Sequence, residues 1–355
     1  LLRNNTTGDS EKLAHIYVMK GKKQTEVDEL ACGDIGMVAK LSNTNTNDTL
    51  TNGKEVKYAP ISYPRPYFNM AIKPMAKGDE DRISSGIARL LEEDRSLKYV
   101  NNAETKQLTI AGLGDIHLDI VVSKLKNRFG ANVELMKPKI AYRETIKKKV
   151  EIHGRHKKQS GGHGQFGDVH IRFEPQTESE DMIFADETVG GCVPKNFIPS
   201  VEKGLRNCIG KGVLAGYPMV FLKATLVDGS YHPVDSSEMA FKMATSVAFK
   251  EGIPQAKPVI LEPINHVEVL IPDRYMGDIM GDITKRRGRI LSMDAVGVKK
   301  CIVAEVPAAE MHKYATDLRS MTQSRGEYRS RFERYEEAPM DVQKRIIEAR
   351  AAEHK

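Results

Sequence analysis

Apolar positions along the chain recur with two different periods, and the order of the segments predicts two domains of the same kind. In residues 67–135 the pattern predicts strand, helix, strand, strand, helix and strand, with Ile83 and Ile87 on the buried face of the first helix. The same order recurs in residues 265–335, although the two segments share no repeat of sequence. This order is typical of a ferredoxin-like βαββαβ domain, so the chain is predicted to contain two of them.

Residues 142–262, which lie between the two repeats, combine longer strands with two helices. The pattern predicts one helix and three strands, at 195–210, 169–174, 182–186 and 219–227. A second helix follows Ser236 and Ser237, both of which are good N-cap residues. Because this helix is apolar nearly all round, we expect it to be buried against a sheet.

Proline marks the boundary between an N-terminal segment and the first repeat. Short β-type runs at 14–19 and 37–41 alternate with Gly and Asp, as in a small barrel, and Pro60, Pro64 and Pro66 then interrupt the chain. The predicted fold class is therefore multidomain α+β. Its parts, in chain order, are a partial β-barrel at 1–60, a ferredoxin-like domain at 61–140 and an α/β domain at 141–262. A second ferredoxin-like domain at 263–340 and a helical tail at 341–355 follow.

Bulk composition is that of a globular protein with several domains. The chain has 355 residues, of which 40% are hydrophobic and 29% charged, and no run of 18 apolar residues is present to span a bilayer. The four cysteines lie at least 16 positions apart, and no secretory signal precedes them. We therefore expect a cytoplasmic protein without a membrane partner. Because the chain begins with Leu-Leu-Arg, we also expect a fragment of a longer protein.

Positive charge is concentrated in two segments of the chain. The net charge is only +6, but residues 147–172 carry seven Lys or Arg against two acidic residues, and residues 274–300 carry seven against three. Such local excess indicates either a polyanionic partner, such as nucleic acid, or a face that is simply solvated.

The sequence QSGGHGQFG at residues 159–167 follows the first basic segment directly. Its four glycines let a partner's backbone approach closely, and its glutamines and serine offer neutral donors and acceptors. Arg155, Lys157 and Lys158 would attract phosphates at its base. These features suit RNA, which is recognised largely by shape and short polar contacts, but they are also compatible with a hairpin that only needs glycines.

His153, His156 and His163 form the only histidine cluster in the sequence, and we predict that it holds no metal ion. No cysteine is near, the flanking Arg and Lys would repel a dication, and the cluster has no carboxylate to balance the charge.

No catalytic site is predicted either. The chain contains no G-x-x-x-x-G-K-[ST] loop for nucleotide phosphates. His232, Asp235 and Ser236 lie within five residues of one another, which is too close for the side chains of a hydrolytic triad to converge.

Five stretches of sequence together resemble bacterial translation elongation factor G, or a close paralogue, and the likeness covers essentially the whole chain. They are RHKKQSGG, VPKNFIP, GVLAGYP, DSSEMAFK and GDITKRRG, at 155–162, 193–199, 212–218, 235–242 and 281–288. The resemblance implies the end of the family's second domain, a ferredoxin-like third domain, an elongated fourth domain of the ribosomal-protein-S5-like type and a ferredoxin-like fifth domain.

The resemblance also implies what the chain lacks. The family's N-terminal GTPase domain, which binds GTP with Mg²⁺, is absent here. We therefore expect no enzymatic activity and no cofactor for this C-terminal fragment, and a GTPase as its parent protein.

By the same resemblance the chain is the ribosome-binding part of a factor that promotes tRNA–mRNA translocation during elongation. The alternative is a paralogue that acts in ribosome recycling or ribosome protection. The implied partners are rRNA, the tRNA–mRNA duplex of the decoding site, the stalk base and the sarcin-ricin loop, and the protein is expected to be a monomer.

Two sets of contact residues follow from the matched motifs. The first forms the tip of the fourth domain, which enters the decoding site, and comprises Gln159, Ser160, Gly161, Gly162, Gln165, His232 and Asp235. The second is expected to contact rRNA phosphates and comprises Arg155, Lys157, Lys158, Arg286, Arg287 and Arg289.

Overall fold

The computed structural model describes residues 1–159 and 164–353, which form two compact units. One unit contains residues 1–102 and 108–136, and the other contains residues 103–107 and 137–355. None of the helices in the described chain has both the length and the apolar content needed to cross a bilayer.

The first 60 residues, predicted as the end of a β-barrel, form two small antiparallel sheets. One has the strand order β2-β1-β5 and the other pairs β3 with β4. The strands are β1 Leu2–Asn4, β2 Ser10–Glu11, β3 Ile16–Lys20, β4 Lys23–Val27 and β5 Leu50–Thr51. The strand predicted at 37–41 is wrong, because only a single bridge joins Met37 to Tyr17 and Lys40 then takes a positive φ of 61°.

The next domain has the predicted ferredoxin-like topology. Its sheet has the order β7-β8-β6-β9, and its two helices follow the first and third strands. The elements are β6 Phe68–Pro74, α1 Glu80–Glu93, β7 Lys98–Asn102, β8 Gln107–Gly112, α2 Asp115–Phe129 and β9 Val133–Met136. Gly86 lets the helices approach, since a Cβ there would lie 2.9 Å from Leu125 Cδ2.

The domain in the middle of the chain is a four-stranded sheet covered by two helices on one face. The sheet order is β11-β12-β14-β13, with β13 parallel to β14 and the other pairs antiparallel. The elements are β10 Arg143–Ile146, β11 Val150–Lys158, β12 Gln165–Pro175, β13 Ile183–Asp186, α3 Ile198–Ile209, β14 Leu222–Ser230 and α4 Glu238–Gln255. Phe173 of β12 and Phe241 of α4 are fully buried in the core between sheet and helices, as expected for an apolar α4.

The last domain repeats the ferredoxin-like order, which confirms the second such prediction. Its sheet runs β18-β15-β17-β16, and β10 of the preceding domain also pairs with the start of β15. The elements are β15 Pro258–Pro272, α5 Met276–Lys285, β16 Arg289–Val296, β17 Lys299–Pro307, α6 Tyr314–Thr322, β18 Glu327–Glu337 and α7 Met340–Glu353. The multidomain α+β class is thereby confirmed.

A buried carboxylate fixes the loop that leads into β14. Glu144 of β10 has no exposed surface, and its side chain accepts hydrogen bonds from the N–H groups of Leu214, Ala215 and Tyr217 at 2.8, 2.9 and 3.1 Å. A Cβ at Gly212 would lie 2.2 Å from the Glu144 carboxyl carbon, so only glycine fits there. The carboxylate therefore takes the place of the backbone partners that this loop lacks.

We expect Glu144→Gln to loosen this loop. The amide has one acceptor oxygen where the carboxylate has two, so its NH₂ group must face a backbone N–H, at a cost of about 2 kcal/mol. Amide exchange at Leu214, Ala215 and Tyr217 should then speed up about 30-fold by mass spectrometry or NMR. Glu251→Gln, on the exposed face of α4, is the control and should leave these amides unchanged. Unaltered exchange in Glu144→Gln would show that the carboxylate does not hold the loop.

Candidate nucleic-acid interface

Close packing of α4 on the β11–β12 hairpin brings two turns to the same end of the middle domain. One comprises residues 231–236, before α4, and the other is described from residue 164, where the chain enters β12. A Cβ at Gly154 would lie 2.4 Å from the carbonyl oxygen of Ala244, and one at Gly167 would lie 2.5 Å from that of Ala240. The helix therefore contacts the strands backbone to backbone, which only glycine permits. As a result the first turn of α4 lies beside the start of β12, and the segment before α4 lies beside Gly164 and Phe166.

Hydrogen bonds join the two turns directly. The N–H of Phe166 donates to the Asp235 carbonyl at 2.8 Å, and the N–H of Gly164 donates to Asp235 Oδ1 at 3.0 Å. Ser236 Oγ donates to the Phe166 carbonyl at 2.9 Å and accepts the N–H of His232, also at 2.9 Å. Asp235 and Ser236 thus connect the turn that carries His232 to the start of β12.

Backbone hydrogen bonds fix the orientation of the His232 ring. The side chain is 51% exposed, and its Nδ1 accepts the N–H groups of Val234 and Asp235 at 3.3 and 3.1 Å. These two contacts assign the tautomer that carries its proton on Nε2, and Asp235 Oδ2 also lies 3.4 Å from Nδ1. His232 can therefore present an N–H donor on the side of the ring away from its own turn.

Cationic side chains flank the joined turns without acidic partners. Arg155 Cζ lies 5.3 Å from the centre of the Phe166 ring, and Lys157 and Lys158 are exposed at the end of β11. Across residues 1–159 and 164–353, none of these three cations forms a side-chain ion pair. Exposed Gln165 accepts at 2.9 Å from His156 Nε2, or donates to it if the amide is flipped. The charges are thus available to an external anion.

The loop residues predicted for the tip are described only in part. Gln159 is exposed at the end of β11, whereas Ser160, Gly161 and Gly162 lie outside the described residues, as does His163. Their contact with RNA stays a prediction.

The predicted arginines of the last domain are engaged with acidic partners. Arg286 donates to Asp282 and Asp317 at 2.7 and 2.6 Å, and its side chain is only 14% exposed. Arg287 forms a bidentate pair with buried Glu262 at 2.8 and 2.7 Å, and the Glu262 hydrogen bonds raise the pKa of that guanidinium further. These two side chains connect α5 to neighbouring elements, so their charge is already balanced within the protein.

Arg289 differs from the other two arginines because it is exposed. Its side chain is 67% exposed, although it also contacts Glu305. Hydrogen bonds from Arg334 lower the pKa of Glu305 most. Burial opposes them, but the hydrogen bond from Arg289 lowers the pKa as well, and it falls to about 2. Of the three arginines, Arg289 therefore has the most surface to offer to a phosphate, and its contact with rRNA stays a prediction.

Sequence reasoning missed the part that Ser236 plays. The sequence predicts both Ser236 and Ser237 as helix caps, but only Ser237 accepts the N–H of Ala240, at 3.2 Å, and caps α4. Phe166 was likewise not singled out, although its backbone joins the turns and its ring lies under Arg155. The only signal in the sequence was the adjacent pair of serines, one more than a cap requires.

Comparisons with known proteins agree with the order of these domains. Three family models match consecutive parts of the chain: "Elongation Factor G, domain III" at residues 63–137, "Elongation factor G, domain IV" at 138–257 and "Elongation factor G C-terminus" at 259–346. A crystal structure of a protein from Thermus thermophilus is similar to this chain with a TM-score of 0.81 and 39% sequence identity. The match covers 95% of this chain and 51% of that one, so the chain spans about half the length of that protein.

We expect Ser236→Ala to separate the two turns locally. The substitution removes the bonds to Phe166 and His232, and a loss of about 1.4 kcal/mol corresponds to about tenfold faster exchange. Amide exchange measured by NMR should therefore accelerate at His232, whose N–H loses its acceptor, and at Phe166, whose N–H bond to the Asp235 carbonyl loses the support of the neighbouring Ser236 bond. The neighbouring Ser237→Ala is the matched control, since it removes the cap of α4 and should accelerate exchange at Ala240 instead. Identical patterns in the two variants would contradict a link through Ser236.

Proposed function

The chain belongs to the elongation factor G family, and from this we propose that it is the ribosome-binding part of a translational GTPase that promotes tRNA–mRNA translocation. In this proposal the middle domain inserts its two joined turns into the decoding site of the ribosome. The family's GTPase domain would lie outside this chain, hold GTP with Mg²⁺ and supply the change of state. The chain itself would then catalyse no reaction and act in the cytoplasm as a monomer.

The observation that carries this proposal is the pairing of the two turns at one end of the middle domain. Together they offer the half-exposed His232, the neutral side chains of Gln159 and Gln165, and cations to which the described part of the chain brings no acidic partner. Paired RNA strands of the A-form present phosphates and 2′-hydroxyl groups, which are recognised by shape and short polar contacts. A surface of this composition fits such a duplex better than it fits a small apolar ligand.

The mechanism that we propose is mechanical. The Nε2–H of His232 would donate to a phosphate or a 2′-hydroxyl of the RNA. Arg155, Lys157 and Lys158 would contact phosphates of the RNA backbone. Because α4 packs directly on the strands, the turns and the domain move as one body. A domain that occupies the vacated site would then block the return of the tRNA.

The last domain would contact large-subunit rRNA at the sarcin-ricin loop and the stalk base. Exposed Arg289 is the best candidate for a phosphate contact. Arg286 and Arg287 would act indirectly, by holding the end of α5 and the turn before β16 in place through their acidic partners.

We expect His232→Ala to slow tRNA movement in a protein that carries both the GTPase domain and this chain. Loss of one positioned contact in the rate-limiting state predicts a decrease of about tenfold or more in the translocation rate. Ribosome-stimulated GTP hydrolysis should change little, because His232 lies far along the chain from any GTPase domain. His15→Ala removes an exposed histidine near the N-terminus and is the control. Equal losses of movement and hydrolysis in His232→Ala would contradict the role at the tip.

We also expect binding of the chain to ribosomes to weaken steeply with salt. Replacing both Lys157 and Lys158 by Ala should lower the magnitude of the slope of log K against log[salt] by about 1.4–1.8, at about 0.7–0.9 per phosphate contact. The control replaces Lys147 and Lys149, which already pair with Glu337 and Glu174 at 2.8 and 3.1 Å, and should change the slope less. A flat salt response, or equal slopes in the two double variants, would count against phosphate contacts at the tip.

A further inference from the structure

Strand pairing assembles a cluster of two histidines and an aspartate on the outer face of the middle sheet. His153 of β11 lies directly opposite His170 of β12, and Asp168 precedes His170 by two residues. Alternate residues of a strand share a face, so all three side chains project from the face opposite to α4. An i, i+2 pair on one strand and a residue opposite on the next strand is a compact way to gather three ligands on a sheet.

The ligand atoms of the three side chains already converge. One ligand atom from each residue lies within 4.8 Å of the others, the two imidazole rings stack with centroids 4.3 Å apart, and His153 Nε2 contacts Asp168 Oδ1. Bonds of about 2.0–2.1 Å in a tetrahedral zinc site place ligand atoms about 3.4 Å apart. His153 is 46% exposed, so its ring has room to turn toward that spacing.

Neighbouring groups orient the cluster and supply negative charge. Ser230 Oγ donates to Asp168 Oδ2 at 2.6 Å, which leaves Oδ1 directed at His153. Asp228 lies opposite His170 on β14, and its Oδ1 accepts the N–H of Gly229 at 2.8 Å. Two carboxylates beside two imidazoles suit a dication, and such outer partners are typical of metal sites.

The nearest cations are directed to other partners. Arg155 lies opposite Asp168 in the sheet, but its guanidinium lies over the Phe166 ring. Arg172, two residues beyond His170, donates to Glu174 at 3.2 Å and to Glu187 at 2.7 and 2.8 Å. The repulsion that the sequence predicted from flanking cations is therefore reduced at this face.

We propose that His153, Asp168 and His170 bind one divalent transition-metal ion of the zinc type. Imidazole nitrogen with carboxylate oxygen is a ligand set that zinc accepts, and the open side of the sheet leaves room for water as a fourth ligand. The set differs from the histidine cluster of the sequence, because His156 lies on the opposite face and His163 lies outside the described residues. The bound ion would hold β11 to β12.

The test is titration of the full chain with Zn²⁺ by calorimetry and with Co²⁺ by visible absorption. We expect one ion per chain at this site, and thermal unfolding of the middle domain at a higher temperature in the presence of Zn²⁺. Changes in outer partners of a metal site cost about 10- to 100-fold in affinity, and loss of a ligand should cost at least as much. We therefore expect His153→Ala and His170→Ala each to weaken Zn²⁺ binding at least about 100-fold, and Ser230→Ala, which alters an outer partner, to weaken it about 10-fold.

His156→Ala is the matched control, since it removes a histidine from the same strand but from the other face, and it should bind as the unaltered chain does. Asp168→Asn keeps the size of the side chain, so it removes a charged ligand without changing the packing. Thermal unfolding without metal checks that every variant is folded. Absence of binding at micromolar Zn²⁺, or binding that survives His153→Ala and His170→Ala unchanged, would overturn the proposal.

Discussion

The contact between α4 and the β11–β12 hairpin is the constraint on which the candidate interface depends. At Gly154 and Gly167 the helix backbone lies so close that even a methyl group would be about 2.5 Å from a carbonyl oxygen. Two such points define a line, so the helix cannot rotate or slide on the strands without a clash. The turn before α4 and the start of β12 are therefore held at one end, and the bonds of Asp235 and Ser236 complete an arrangement that this packing already imposes.

The cations of the two basic segments have different roles, depending on whether the fold brings acidic partners to them. Arg286 and Arg287 meet carboxylates from other elements, and their guanidinium groups connect α5 to the rest of the domain. Lys157 and Lys158 stand at a strand end beyond the helix, where the described chain brings no carboxylate to them. Positive charge near a loop thus indicates an anionic partner only when the fold leaves that charge without an internal one.

The periodicity of the sequence was sufficient to predict both ferredoxin-like domains and the buried α4, because each depends on local patterns of apolar residues. It was not sufficient for β10 and β11, which had no predicted strand. In β11 the outward positions are Glu151, His153, Arg155 and Lys157, and two inward positions are Gly154 and His156, so the apolar alternation is lost. The partners of Arg287 and the separate roles of Ser236 and Ser237 depend on residues that only folding brings together, and no local pattern contains that information.

The register of β11 against β12 connects the packed face with the chemical face. Gly154 and Gly167 both point toward α4, which requires that the odd-numbered positions 153, 155 and 157 point outward. A slip of one residue would turn His153 and Arg155 into the core, and an unpaired charge buried there costs several kcal/mol. The glycines therefore decide more than how closely the helix packs. By fixing the register they also decide that the cations stand free beside the tip and that His153 meets His170 and Asp168 on the open side of the sheet.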